Sequence, residues 1–139
     1  MISKDFLDTW SPRFLSVLRI IVGFLYMQHG TSKLFHYPVS MGHVHLVSLI
    51  GLAGVLETFG GALVLLGLFT RPVAFILSGE MAVAYFMVSA PHGFLPIVNG
   101  GEDIVFYCFV FLYFAAAGGG AWSLDAWFRS SRAARVSSG

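Results

Sequence analysis

The sequence predicts an all-α membrane protein, a bundle of four transmembrane helices with both termini in the cytoplasm. Three observations predict it. Of the 139 residues, 57% are hydrophobic and only 11% are charged, whereas ordinary globular domains carry about 25% charged residues. A chain so apolar and so short has too little polar surface to form a soluble compact domain. Four apolar stretches, near residues 14–35, 46–69, 72–90 and 102–121, are each close to the ~20 residues that a helix needs to cross a ~30 Å hydrocarbon core. The basic residues are also lopsided. Lys4, Arg13, Arg19, Arg71, Arg129, Arg132 and Arg135 fall on one side of an even-numbered bundle and Lys33 alone on the other, which places both ends in the cytoplasm by the positive-inside rule.

Taken in order, "KDFLDTW" reads as a short interfacial helix ahead of the first span. That span is expected to be permanent rather than a cleaved signal, because acids precede it, Arg19 and Lys33 lie within it, and no small-residue cleavage pattern follows. "HYPVSMGHVH" then supplies Pro38 and Gly42 as turn residues. Between the second and third spans, "TRP" puts Pro72 at the first helical position, and "PHGFLPIVNGG" separates the third from the fourth. After the fourth span, "SLDAWF" reads as a second interfacial helix and "SSRAARVSSG" as a mobile tail. Trp10, Trp122 and Trp127 flank the first and last spans at the cytoplasmic headgroup level. The expectation is one domain, residues 1–128, followed by a cytoplasmic tail, 129–139, with no internal repeat.

Ionisable residues at membrane depth are costly, so they face the bundle interior or water and find partners. Here they are Arg19, His29 and Lys33 on the first helix, Glu57 on the second, Glu80 on the third, and Glu102 with Asp103 opening the fourth. At 3.6 residues per turn, Arg19, Gly23, Tyr26, Gly30 and Lys33 form one stripe, and its glycines let a neighbouring backbone approach. Glu57 likewise shares an inward face with Ala53, Gly60 and Gly61. Counting ~1.5 Å per residue from the cytoplasmic edge puts Arg19 at ~9 Å, Glu80 at ~12 Å, Glu57 at ~18 Å and His29 at ~24 Å. Those heights predict that Arg19 pairs with Glu80, Glu57 or both, and that Lys33 meets Glu102 and Asp103 near the outer surface. Such pairs can serve only to fix which helix packs on which. The excess of titratable groups at His29, Lys33, Glu57 and Glu102 points instead to ligand binding or proton exchange.

Other constellations carry less. His43 and His45 lack a third ligand at a fixed spacing, so no metal site is expected. A haem would need two histidines inside the bundle, and only His29 lies within a span. The single Cys108 has no activating base nearby in sequence and reads as a small core residue. A net charge of +1 gives no reason to expect a nucleic acid partner. The aromatics of the fourth span circle the whole helix, and one or two of them could wall a flat ring.

"LRIIVGFLYMQHGTSKLF" resembles the opening signature of the DoxX family, with its arginine and glycine followed by His-Gly and a lysine. "ETFGGALVLLGLFTRPVA" is similar to that family's glutamate, paired glycines and Gly-Leu-x-Thr-Arg turn. "EMAVAYF" and "NGGEDIVFYCFVFLYFAAAGGGAWSLD" resemble its third helix, the Gly-Glu opening of its fourth helix, and its closing Gly-x-Gly-x-x-Ser-Leu-Asp. Together these cover residues 19–125. The resemblance implies a four-helix protein of a bacterial-type inner membrane, and it marks Arg19, His29, Lys33, Glu57 and Glu102. It also implies a link to quinone-reducing oxidoreductase subunits and to membrane complexes that manage oxidative or thiol stress.

Three functions compete. The first is the membrane subunit of a redox complex, with a quinone as cofactor and a soluble or membrane redox partner, since the chain has no electron carrier of its own. The second is a proton-coupled transporter of a small amphipathic solute, for which four short helices would have to form a homo-oligomer. The third is a non-catalytic anchor for a soluble oxidoreductase. All three place the chain in the lipid bilayer. Orientation is tested by impermeant thiol labelling of intact cells in a cysteine-free background. Gly42→Cys should label and Ser130→Cys should not; the reverse pattern would invert the topology.

Overall fold

The protein is described by a computed structural model over residues 3–137. Helix α1 (Lys4–Phe35) runs for 32 residues from an N-cap at Ser3, whose hydroxyl accepts the Phe6 N–H at 3.3 Å. The interfacial segment expected at "KDFLDTW" is therefore continuous with the helix that holds the expected first span. Pro12 lies inside this helix, and its carbonyl accepts both the Ser16 hydroxyl (2.9 Å) and the Ala121 N–H (3.1 Å).

Helix α2 (Leu49–Leu66) starts at Ser48, whose hydroxyl accepts the Gly51 N–H. It contains a π turn at Leu56–Gly60 and ends at Gly67, which takes the left-handed conformation (φ 69°) that glycine adopts without strain. Helix α3 (Thr70–His92) begins two residues before the proline expected to open it. Its first N–H groups are capped from far along the chain, Phe69 and Thr70 donating to the two carboxylate oxygens of Asp125 at 2.8 and 2.9 Å. A second π turn occupies Tyr85–Ser89.

The connection expected after it holds a single turn, α4 (Pro96–Asn99). Helix α5 (Glu102–Ala117) then stops four residues short of the predicted span, at Gly118 with φ 85°. Residues 118–121 fold back over the end of the bundle instead. Helix α6 (Leu124–Ser137) corrects the expectation of a mobile tail, because 130–137 continue the helix. The Ser123 hydroxyl accepts the Ala126 N–H at its start, and alanine and arginine are good helix formers. Residues 138 and 139 of the expected tail lie outside the described residues.

Consecutive long helices are antiparallel, α1 packing on α2, α2 on α3 and α3 on α5. The α1–α2 seam is set by glycine. A Cβ on Gly23 would stand 2.6 Å from the Leu65 nitrogen, and one on Gly30 only 2.4 Å from that of Thr58, so neither site admits a side chain at this helix spacing. Helices α1 and α5 meet through rings instead, Tyr26 lying 4.7 Å from Phe111 and 5.1 Å from Tyr107.

Polarity runs opposite to that of a water-soluble domain. Ser16, Arg19, Glu57, Thr58, Thr70 and Ser78 are buried, while Phe14, Ile21, Phe24, Phe75, Ile76, Phe86 and Phe109 are exposed. In water this would be an unprotected apolar surface; against acyl chains it matches the solvent. By length and composition, α2 and α3 are the two helices among the described residues that can cross a membrane.

Arg19 is fully buried and pairs with neither Glu80 nor Glu57, contrary to the sequence expectation. Its Nε donates to the Gly119 carbonyl at 2.7 Å, Nη1 to those of Val64 (2.6 Å) and Leu65, and Nη2 to that of Trp122 (2.6 Å). Counting heights along the helices ignored side-chain direction. It also ignored competing partners: the carbonyls at the end of α2 and in the α5–α6 loop take the guanidinium, while the Tyr26 hydroxyl takes Glu80.

At that end, α2 terminates with carbonyls at the negative pole of its dipole, that of Val64, which also accepts the Gly67 N–H, and that of Leu65. One guanidinium answers them and fastens the α5–α6 loop as well. Arg19→Leu should therefore lower stability by about 3 kcal/mol or more, read as the melting midpoint in detergent. Arg19→Lys should recover only a minor part, because a single ammonium cannot span acceptors spread around a planar fork. A lysine variant as stable as wild type would show that charge alone suffices.

Candidate functional site

Deeper in the bundle, α1, α2, α3 and α5 bring six side chains together. Lys33 Nζ donates to both oxygens of Glu57, at 2.6 and 2.8 Å. The Tyr26 hydroxyl donates to Glu80 Oε2 at 3.0 Å. The edge of the His29 ring meets Tyr107 at 6.0 Å, and Tyr107 in turn packs on Tyr26 and stacks on Phe111 at 5.9 Å. Glu57 lies within electrostatic reach of both His29 and Glu80.

The convergence of Lys33 and Glu57 follows from antiparallel packing. Lys33 on α1 tilts back into the bundle, while Glu57 on the opposed α2 tilts outward, so the two meet between their backbone heights. Gly54 allows the approach, since a Cβ there would already touch Leu34 and Lys33 at 3.0–3.3 Å. The π turn at Leu56–Gly60 carries Glu57, and single π turns inside α-helices are frequent at functional sites. The carboxylate is almost fully enclosed, its side chain 5% exposed against 20% for that of Lys33.

Of the residues singled out in the sequence, His29, Lys33, Glu57 and Glu80 are brought together. Glu102 is not. It is exposed in the first turn of α5, where a negative charge suits the helix N-terminus, and the predicted contact of Lys33 with Glu102 and Asp103 is absent. The start of α5 lies against α3, with Gly101 beside Ser89, rather than against α1. Arg19 belongs to the clamp at the basic end. Sequence reasoning missed Tyr26 as the partner of Glu80, although its place on the stripe between Arg19 and Lys33 carried the signal. Tyr107 could not be picked out among the aromatics of α5.

Glu80 is only half satisfied. Its Oε1 is buried and has no hydrogen-bond partner among the described residues. A buried polar atom without a partner is uncommon and calls for a ligand, a water or a proton. Lys33 likewise uses two bonds on one carboxylate, and an ammonium has three N–H groups.

An inverted-polarity helical bundle with acids, a lysine and a histidine enclosed between its helices defines a membrane protein with a polar interior. The chain belongs to the DoxX family, whose model matches residues 14–90. An uncharacterized protein of Haemophilus influenzae is 48% identical over 126 residues, covering 86% of this chain and 93% of its own length. No solved structure matches.

Removing one partner of an enclosed ion pair strands the other charge, whereas replacing both by apolar groups of similar size can be neutral. Lys33→Met should cost about 3 kcal/mol, read as a fall in the melting midpoint, and adding Glu57→Leu should restore most of it. Equal melting of wild type and Lys33→Met would mean that Glu57 needs no counter-charge.

Proposed function

We propose that this is a multi-pass protein of a bacterial-type inner membrane, with four spans, both termini cytoplasmic, and the membrane subunit's place in a quinone-linked redox complex. The intramembrane cluster is its binding site for a quinone-like or similarly flat, polar-headed ligand. The observation that carries this reading is the unpartnered, buried Glu80 oxygen beside three further ionisable side chains. Unlike the other buried oxygen without a partner among the described residues, the Thr70 hydroxyl, it belongs to a carboxylate set among other ionisable groups.

The residues present fit such a ligand. A quinone head needs hydrogen-bond donors at its carbonyls and an apolar wall for its ring. Lys33 and His29 supply the donors, and Tyr107 with Phe111 the wall. When bound, the quinone would supply the redox chemistry, with electrons from a partner protein. The chain's own residues handle position and protons: His29 donates a hydrogen bond to the head, Lys33 holds the head electrostatically, and Glu57 and Glu80 accept protons inside the bundle. The family membership and the lopsided basic residues support the membrane placement.

The mutual satisfaction of Lys33 and Glu57 favours a second reading, a non-catalytic anchor in which the pair only sets helix packing. Titration of purified protein with a short-chain ubiquinone analogue separates the two. His29→Ala and Glu57→Gln should each weaken binding about tenfold, the worth of one good hydrogen bond, with melting of His29→Ala unchanged. Absence of binding to wild type, or equal affinity in both folded variants, would favour the anchor.

A further inference from the structure

The basic end of the bundle holds a feature that the intramembrane site does not use. Between the start of α3 and the underside of α6 lies an open groove lined by Arg71, Arg129 and Arg132, with Phe69 and Phe128 along its edge. Arg71 is fixed rather than free. Its Nη1 donates to the Ala116 carbonyl at the end of α5, which leaves Nε and Nη2 without hydrogen bonds among the described residues. Arg129 and Arg132 are exposed on α6, one turn apart, and make no hydrogen bond or ion pair among the described residues.

The one acid in the groove, Asp125, does not cancel this charge. Both its oxygens are engaged by the backbone N–H groups that open α3. The two lining aromatics, Phe69 and Phe128, are more than half exposed, at 62% and 51%. Such an arrangement, three guanidinium groups over exposed rings at the level where helices leave the lipid, is matched to a group that is anionic at one end and apolar at the other. A free anion would use the arginines and leave the rings in water.

We infer that this groove is a binding site for an anionic phospholipid, its phosphate held by Arg71, Arg129 and Arg132 and its upper acyl carbons lying along Phe69 and Phe128. Arginine suits the task because its planar fork pairs bidentately with phosphate oxygens. Basic pockets at the membrane surface bind anionic headgroups in this manner. The consequence for the fold is mechanical: a bound lipid would tie α6 to the start of α3, next to the Arg19 clamp.

The test is native mass spectrometry of the full chain in detergent, titrated with phosphatidylglycerol or with phosphatidylethanolamine of the same acyl chains. Wild type should retain phosphatidylglycerol preferentially. Arg129→Gln with Arg132→Gln should lower that retention by about fivefold per arginine removed, with an unchanged melting midpoint because both side chains are exposed and make no hydrogen bond or ion pair among the described residues. Lys4→Gln with Arg13→Gln removes the same charge outside the groove and should leave retention as it was. Equal retention of the two lipids, no loss in the Arg129/Arg132 variant, or an equal loss in the Lys4/Arg13 variant would each overturn the site. So would complete competition by millimolar inorganic phosphate, which would show a site for the anion alone.

Discussion

The structure depends on one buried guanidinium. Arg19 gathers four carbonyls from α2 and the α5–α6 loop; Val64 also accepts the Gly67 N–H and Gly119 the Ser16 hydroxyl, but Leu65 and Trp122 have no other donor among the described residues. Leaving a buried acceptor unsatisfied costs about 1–3 kcal/mol, so the position tolerates few substitutes. Ser16 extends the same knot, accepting the Trp122 N–H at 2.9 Å and donating to Pro12. Asp125 closes it from the far side by capping α3. Three helix ends and a loop are thus held by polar contacts, where hydrophobic association gives no advantage inside lipid.

With that end fastened, the remainder of the bundle is free to be polar within. Glycines bring α1 and α2 together, and large rings separate α1 from α5. Close packing on one side and ring-spaced packing on the other create a shielded interior into which Lys33, Glu57, Glu80 and Tyr26 project. The two ends of the fold therefore differ in kind. Each end keeps one buried oxygen without a partner among the described residues, but at the clamp it is the neutral Thr70 hydroxyl, whereas in the inner cluster it belongs to the Glu80 carboxylate. That asymmetry is why the cluster, and not the more conspicuous arginine, is the place to look for a ligand.

The motifs that marked the family acquire physical meaning in this light. The Gly-Leu-x-Thr-Arg turn and the closing Gly-x-Gly-x-x-Ser-Leu-Asp are far apart in sequence but face each other across the clamp. Gly67 must be glycine twice over: its φ is positive, and a Cβ there would come within 2.4 Å of Ser123 and 2.9 Å of the Arg19 guanidinium carbon. Those residues build the clamp, while the His-Gly-x-x-Lys segment and Glu57 belong to the inner cluster.

The amino-acid sequence by itself determined the helical class, the approximate extent of the apolar segments and the inward face of α1, because hydrophobicity and the 3.6-residue period are local properties. Arg19, Gly23, Tyr26 and Gly30 are buried as that period requires. It also marked Arg19, His29, Lys33, Glu57 and Glu80 as standing inside, but wrongly added Glu102 and Asp103, which are exposed. What it left open was who partners whom. Heights counted along four helices put Arg19 beside Glu80 and Lys33 beside Glu102. The tertiary structure decided otherwise, since side chains lean toward their helix N-termini, antiparallel neighbours therefore lean toward each other, and the free carbonyls at helix ends compete with carboxylates for a buried cation. The fate of residues 118–121 was equally invisible in one dimension. They are apolar enough to prolong a span, and the loop they form instead is held by Arg19, a hundred residues earlier in the chain, through the carbonyls of Gly119 and the adjoining Trp122.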